Sequence, residues 1–416
     1  MKIAIYGVSR CGKDYLIKKI VNYLNTNSQI NTFHLEGSKT LNELSNSKFG
    51  YAFKYLSESQ KSVLRKEFTS LINQKESEYQ LVIVDGHYSF ITEDEYQVVF
   101  TESDRDAYDA FFYLDTPSEK IVQYSRNSEG DKRNLAITKA EIFNWKSYEK
   151  RGLSSVCDLL GKELIILDED TNSSIEFIKS FVLNYKEKYS YKAIAKRLID
   201  KISDELENKE EVVVFDCDKT VSHNDVTYDF CCSLGISSNE LKKIFRNDRY
   251  SSYQFFKVQK LYEESSHAEI HLASHNALAQ IKLSDEVTKY ISSLKNAYIL
   301  GVTSGVYEIW DLISREHNLF DCLFGSTSTD ITEYLVTPLL KKQIVLELQS
   351  RNKKVSAVGD SMIDIPMLEV ADKGYIVAHQ KLNDAVTSYF EWVDGSKIKP
   401  FFCSKYSYGL CSIEGN

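Results

Sequence analysis

The sequence predicts two α/β domains in tandem, each built on a parallel sheet, and three observations predict it. A length of 416 residues amounts to two or three domains at roughly 150 residues each. Short apolar runs alternate with helical patterns in the rhythm of βαβ units, first over residues 1–186 and again from residue 211, which is the pattern of parallel sheets. Between the two series lies KEKYSYKAIAKRLIDKISDELENK (187–210), charged and amphipathic, read as a helical connector.

Taken in order, KIAIYG (2–7), LVIVD (81–85), AFFYLD (110–115) and ELIILD (163–168) are short continuous apolar runs and read as buried strands. After the first, Leu16, Ile17, Ile20, Val21 and Leu24 recur at helical spacing, and further helical stretches fall near 58–75, 117–126 and 172–186. EVVVFD (211–216) opens the second series, followed by AYILGV (297–302), DCLFG (321–325), KVSAVGD (354–360) and GYIVA (374–378). A long helical insertion at about 226–296 separates its first two strands. The tail FFCSKYSYGLCSIEGN (401–416) does not decide between packing and fraying.

Composition removes several classes of function. With 43% hydrophobic and 27% charged residues, the chain has apolar material for packed cores and too much of it for a disordered protein. The 51 basic and 60 acidic residues leave a net charge of -9, so no whole-chain basic field holds a polyanion. No run approaches the ~18 apolar residues of a membrane span, and MKIAIYGVSR lacks a signal peptide's apolar core; a cytoplasmic address and no membrane partner are expected. The eight cysteines show neither CxxC nor zinc spacing, and reduced thiols in packing positions are expected.

GVSRCGKD (7–14) directly follows the first strand and precedes the first helix, placing Gly7, Gly12 and Lys13 at GxxxxGK spacing. Glycines let the backbone curl so that successive N–H groups and the helix N-terminus face one anion, and a lysine adds a point charge for the β and γ phosphates. Asp14 stands where a Ser or Thr usually holds Mg²⁺, so the ion is expected on Asp14 directly or through water. The plain alternative is a glycine-rich turn with a degenerate nucleotide site. LVIVDGHY ends a strand in Asp85, the right place for a carboxylate that holds Mg²⁺ directly or through its other ligands, as in Walker B motifs. His87, just beyond, is more often a loop residue bonded locally than a functional group.

Further on, YLDTPSEKIVQYSRNSEGDKRN carries Arg126, Lys132 and Arg133 around Gly130, a layout that resembles the lid of nucleoside monophosphate kinases. Forked guanidinium groups suit phosphoryl oxygens; an ordinary solvated basic loop is the alternative. Residues 1–186 as a whole resemble P-loop kinases of small molecules and nucleotides, on Gly7, Gly12, Lys13, Asp85, Arg126 and Arg133. The resemblance implies ATP, Mg²⁺ and an acceptor site between the P-loop and a helical region such as 38–75.

VVVFDCDKT puts Asp216 and Asp218 two apart at the end of a buried strand, with Thr220 behind them. An ionised pair in one crevice repels itself, so Mg²⁺ is the natural partner, and one carboxylate can attack phosphorus while the other manages a proton. The pattern resembles the haloacid dehalogenase superfamily, whose first motif is DxDxT, and three further motifs follow in order. GVTSG offers Ser304 or its neighbour Thr303 as the hydroxyl for the phosphoryl group; PLLKKQIVLEL offers Lys341 or Lys342; VGDSMIDIPML offers Asp360 and Asp364.

That resemblance implies that Asp216 becomes an aspartyl-phosphate, that Asp218 protonates the leaving oxygen and then activates water, and that Lys341 with Mg²⁺ on Asp216, Asp218 and Asp360 neutralises the phosphoryl oxygens. Asp364 is expected to hold the metal through water or to orient Lys341. Lys341 is preferred over Lys342 because Ile344, Val345 and Leu348 then match the register of phosphoserine phosphatase relatives. Lys219 stands where many relatives carry glycine. The insertion at 226–296 falls where those relatives carry a helical cap, which implies a Rossmann-like phosphatase domain over 211–416 and a small phosphorylated substrate. Within the cap, Arg246 and Arg249 are candidate substrate contacts, whereas His267, His271 and His275 lack the companions of a metal site.

Three functions fit this organisation. The favoured one is a kinase and a phosphatase both acting on small metabolites or nucleotides. The second is nucleic-acid end repair, since polynucleotide kinase 3'-phosphatases combine the same superfamilies in the same order; the acidic balance and the long cap weigh against it. The third is a phosphatase gated by a nucleotide-sensing domain in which Asp14 marks lost transfer.

Overall fold

The apolar runs of the first series pair into one sheet because each is buried on both faces and none is polar enough to border water. A computed structural model describes residues 1–92, 95–127, 137–245, 250–263, 265–326, 334–379, 381–382, 384–392 and 397–402, and divides into two compact units, Met1–Leu183 and Asn184–Asn416.

In the first unit, β1 (Lys2–Tyr6), β2 (Thr32–Leu35), β3 (Leu81–Asp85), β6 (Ala110–Leu114) and β7 (Leu164–Leu167) form a parallel sheet in the order β2-β3-β1-β6-β7, while β4 (Ser89–Ile91) and β5 (Tyr96–Val98) form a separate antiparallel pair. Successive side chains alternate faces. Ala4, Tyr6, Val82, Val84, Phe111 and Tyr113 pack with Phe68 and Ile72 of helix Glu58–Glu78 and Leu153 and Cys157 of helix Lys139–Leu160. On the opposite face Phe112 meets Phe177 and Phe181 of helix Thr171–Leu183 at 6.4 and 5.3 Å between ring centroids. The strand Thr32–Leu35 and the helix Lys139–Leu160 have no counterpart in the sequence reading. The strand has only four residues with two buried, too short a pattern to separate from a loop.

The second unit's sheet is β8 (Glu211–Phe215), β9 (Tyr298–Val306), β10 (Cys322–Ser326), β11 (Lys354–Gly359), β12 (Lys373–Ala378) and β13 (Lys399–Phe402), parallel throughout in the order β10-β9-β8-β11-β12-β13. In chain order this is 3-2-1-4-5-6, the Rossmann-like arrangement. The insertion forms helices Val226–Ser233, Ser238–Ile244, Ser252–Tyr262, His267–Gln280 and Asp285–Ser293. Phe230, Tyr262, Ala273 and Ala277 of these pack with Trp310, Val213 and Phe215 in one apolar cluster. Among the described residues no helix is long and apolar enough to cross a membrane.

The segment expected to connect the two series is helical over Tyr191–Lys201 and Ser203–Leu206. It packs as part of the second unit: Ile194, Leu198, Ile199, Ile202 and Leu206 are buried with Leu340, Ile344, Val345 and Leu348 of helix Pro338–Ser350. The apolar stripe of an amphipathic helix needs a core to cover it, and the nearest core follows the segment in sequence. Leu198→Ala, at a side chain 1% exposed, is therefore expected to destabilise the second unit by about 2–5 kcal/mol, measured by urea unfolding. A solvated linker position would change by less than about 0.5 kcal/mol.

Candidate active sites

An open parallel sheet leaves a crevice at the carboxyl ends of its strands where the strand order reverses, because the two flanking connections leave toward opposite faces. In the first sheet β1 lies between β3 and β6, and in the second β8 lies between β9 and β11. The two candidate motifs of the sequence follow β1 and β8 directly.

After β1 the turn reaches helix Lys13–Asn27 with Gly12 as its N-cap at φ 93°, a left-handed conformation that favours glycine. Lys13 is buried, and its Nζ donates to the Gly7 carbonyl at 2.6 Å. Asp14 is exposed in the first helical turn. Both border a cavity of about 750 Å³, as do Asp85, His87, Thr116, Lys120 and Tyr124.

Asp85 Oδ1 accepts from Gly37 N at 3.0 Å and lies 3.0 Å from His34 Nε2. Burial works to raise this carboxyl, but the bonds from His34 and Gly37 and the charge of Lys13 hold it below its usual range. His87 is pushed down to about 3 by burial and then by Lys13, so its ring is neutral at pH 7. Its Nδ1 is buried with no hydrogen-bond partner. Arg126 is exposed at the end of helix Ser118–Asn127 and does not line the cavity, whereas Lys120 and Tyr124 of the same helix do. Lys132 and Arg133 lie outside the described residues, as do Arg246 and Arg249 of the cap.

Sequence reasoning missed the polar layer beneath this turn. Lys146 and Lys150 both meet buried Asp115, at 2.5 and 3.0 Å, and Lys146 Nζ also donates to Thr116 O at 2.7 Å. Thr116 Oγ1 in turn donates to Cys11 O at 2.6 Å, which ties helix Lys139–Leu160 to the P-loop backbone. Glu149, fully buried, accepts from Ser89 N at 2.9 Å and from Tyr113 OH at 3.2 Å.

After β8, Asp216 and Asp218 diverge. Lys341 Nζ, 1% exposed, donates to Asp216 Oδ1 at 2.5 Å and to Asp364 Oδ1 at 2.7 Å. Thr337 caps the helix that carries this lysine by accepting from Leu340 N at 3.2 Å. Thr220 Oγ1 donates to the second oxygen of Asp216 at 2.9 Å. Asp364 Oδ2 accepts from the N–H groups of Asp360 and Ser361 at 3.2 and 3.1 Å. Carboxylate oxygens of Asp216, Asp360 and Asp364 all lie within 4.8 Å of one another. It is Lys341, not Lys342, that enters this group.

The Asp218 carboxylate is outside that cluster. It accepts from Val226 N at 2.7 Å, Thr227 Oγ1 at 2.9 Å and Trp310 Nε1 at 3.2 Å, so its side chain lies apart from the group of Asp216, Asp360 and Asp364. A Cβ on Gly305 would lie 2.4 Å from Asp218 Oδ2 and 2.0 Å from Thr227 Oγ1, which keeps that position glycine. Asp85 likewise belongs to no three-ligand group among the described residues. Thr303 Oγ1 accepts from Gly305 N at 2.9 Å within the turn, while the buried Oγ of Ser304 has no hydrogen-bond partner. His271 and His275 sit 3.3 Å apart, ring nitrogen to ring nitrogen, on the exposed side of their helix.

The electrostatics of the second site fit a divalent cation. Three ionised carboxylates against one ammonium leave two negative charges. Burial, then Asp364, pushes Asp216 up to about 7, and burial with Asp364 and Asp216 lifts Asp360 well above its usual range. Burial opposes the Lys341 charge, yet Asp216 and Asp364 keep it protonated. Clustered oxygen ligands whose charge the protein alone does not neutralise are the donor set of Mg²⁺. Burial and Asp225 raise Asp218 to about 6.

Residues 6–141 match the family model described as an AAA domain. No curated protein matches the sequence. Among solved structures the chain is similar to a phosphoserine phosphatase in its apo form, at 17% identity over 46% of this chain and 92% of that one, with a TM-score of 0.36. It is also similar to a HAD family hydrolase from Salmonella enterica subsp. enterica serovar Typhi (15%, 53% and 89%, TM-score 0.36) and to shikimate kinase from Bacteroides thetaiotaomicron (13%, 44% and 98%, TM-score 0.30). TM-scores this low leave the chemistry to be read from the residues themselves. The chain thus joins an α/β unit with a P-loop turn, over which the AAA domain model matches, to an α/β unit with the Rossmann-like strand order 3-2-1-4-5-6.

Glu149 provides a test of the buried layer under the P-loop. Burial raises its carboxyl above the ordinary value of 4.5, so the folded state holds this proton more tightly than the unfolded chain. Its contribution is complete below about 4.5 and is lost as pH rises through the folded value. Glu149→Gln keeps an acceptor for Ser89 and removes the charge. The variant is expected to gain on wild type as pH rises above about 4.5, until the folded carboxyl is ionised, measured by urea unfolding of the first unit.

Proposed function

We propose that the chain is bifunctional: a Mg²⁺-dependent phosphatase acting through an aspartyl-phosphate at Asp216, and an ATP-dependent kinase at the P-loop, both acting on small phosphorylated metabolites or nucleotides. The observation that carries the phosphatase half is the buried Lys341 bridging Asp216 and Asp364 in the same cavity as the unpartnered hydroxyl of Ser304. A phosphoryl group placed there would receive donors from Ser304 and Lys341 while facing a carboxylate.

In this reading an Asp216 oxygen attacks phosphorus as the bond to the leaving alcohol breaks. Asp218, with its carboxyl raised to about 6 and held by Thr227 and Trp310, gives its proton to the leaving oxygen. As a carboxylate it then takes a proton from the water that attacks phosphorus, which frees Asp216 and releases inorganic phosphate. Mg²⁺ on Asp216, Asp360 and Asp364 would neutralise the charge gathered on the phosphoryl oxygens.

At the P-loop, the backbone of residues 7–13 would cradle the phosphates of ATP and Lys13 would exchange its Gly7 carbonyl for a phosphate oxygen. Asp14 and Asp85 are the carboxylates available for a magnesium ion there. A second reading, in which this unit only senses nucleotide, is favoured by Asp14 standing where a hydroxyl is usual. Nucleotide that changes the phosphatase rate while labelled γ-phosphate never reaches an acceptor would select it.

Asp216→Asn is expected to lower phosphatase kcat by about a thousandfold or more with nucleotide affinity unchanged. Lys13→Ala is expected to weaken ATP binding at least about tenfold, a loss of roughly 1.4 kcal/mol, with phosphatase turnover retained. Steady-state phosphate release and calorimetric ATP titration check the two, and ordinary phosphate release by Asp216→Asn would refute the assignment.

A further inference from the structure

The phosphatase cavity, about 490 Å³, is larger than a phosphate and a small alcohol need. Its wall over the phosphoryl end is one face of helix Ser252–Tyr262: Phe255, Val258, Gln259 and Tyr262 line it and follow one another at i, i+3, i+4 and i+7, the spacing of a single helical face. Phe245 and Tyr228 extend the wall. The face is apolar except for Gln259. That side chain is 6% exposed and lines the cavity. The amide opens onto the cavity as the hydrogen-bonding group of an otherwise apolar stripe, placed to meet a ligand's own donor and acceptor.

The same wall argues against small polar substrates. Of the charged groups lining it away from the acidic cluster, Lys219 and Asp225 answer each other at 2.8 Å. A sugar phosphate would set several hydroxyls against rings and a valine. An amide offers one donor and one acceptor side by side, the complement of a nucleobase edge, and aromatic side chains offer faces for stacking.

We propose that the alcohol part of the phosphatase's substrate is a flat heteroaromatic body of the nucleobase kind, lodged on the Phe255–Tyr262 face with its donor–acceptor edge on the Gln259 amide, so that the substrate is a nucleoside monophosphate. This rests on the phosphatase reading above and narrows it.

The test is a comparison of kcat/KM for the full-length protein with Mg²⁺ on nucleoside 5'- and 3'-monophosphates, phosphoserine, a hexose 6-phosphate and p-nitrophenyl phosphate. At least one nucleoside monophosphate is expected to exceed phosphoserine and the hexose phosphate about tenfold or more, and the position of its phosphate tells which ester is taken. Gln259→Leu is expected to raise KM for that substrate about tenfold with kcat little changed, and to do so by more than for p-nitrophenyl phosphate, which lacks the edge. Gln259→Glu, which keeps the shape and loses the donor, is expected to do the same should the leucine variant fold poorly. Faster turnover of phosphoserine or the hexose phosphate, turnover of p-nitrophenyl phosphate alone, or an unchanged KM in both variants would overturn the inference and leave the phosphatase standing. Turnover of none of the five would remove the phosphatase itself, and the inference with it.

Discussion

Three carboxylates and one lysine, all withdrawn from bulk water, cannot balance their charges, and the second unit is organised around that imbalance. Lys341 stabilises Asp216 and Asp364 together, but burial first, and then repulsion among the neighbouring carboxylates, still lifts Asp216 and Asp360 toward protonation. Buried like charges persist only when something else stabilises the arrangement. In the proposed reading that something is a cation on one side and the phosphoryl group of a substrate on the other, so the charge imbalance of the bare cluster would favour binding of both.

The surrounding structure can be understood as the support this cluster needs. β8 delivers Asp216 at the reversal of strand order, the capped helix Pro338–Ser350 delivers Lys341, and the turn after β11 folds back on itself through Asp364, which accepts two backbone N–H groups there. Asp218 is kept separate by its own donors, Val226 N, Thr227 and Trp310. Two acids two residues apart thereby acquire different environments, one beside an ammonium and one beside neutral donors, as a division of labour between attack and proton transfer demands. At the P-loop the logic differs: a single buried ammonium is answered by a backbone carbonyl, an arrangement a polyanion can displace.

How much of this was legible depended on whether a residue's role is local. Gly12, Lys13 and Asp216 announce themselves because a turn or a strand end fixes where they point, whereas Lys341 and Asp364 were picked out through the resemblance to phosphatase relatives. Most sheet strands were equally plain, being continuous apolar runs, but Thr32–Leu35 and Lys399–Phe402 were not. What escaped was anything decided by a distant partner. WKSYEKR (145–151) reads as an ordinary charged helix surface, and nothing local says that Lys146 and Lys150 turn inward to Asp115. A weak signal did exist: Ile142, Trp145, Leu153 and Cys157 are buried along one stripe, and Glu149 occupies the gap in it. The placing of Asp218 away from the other three acids was hidden for the same reason, since its partner Trp310 lies 92 residues away in sequence.

The packing of helix Tyr191–Lys201 against helix Pro338–Ser350 also bears on how the chain reaches its native state. The earlier helix emerges from synthesis with an apolar stripe whose partner is not yet made, and the contact must close a loop of well over a hundred residues. Closure entropy of that size is met before any of the contact's reward. Assembly of the second unit is therefore expected to be slow compared with local helix formation, and a nascent chain halted between the two helices would present a sticky surface of the kind that chaperones recognise.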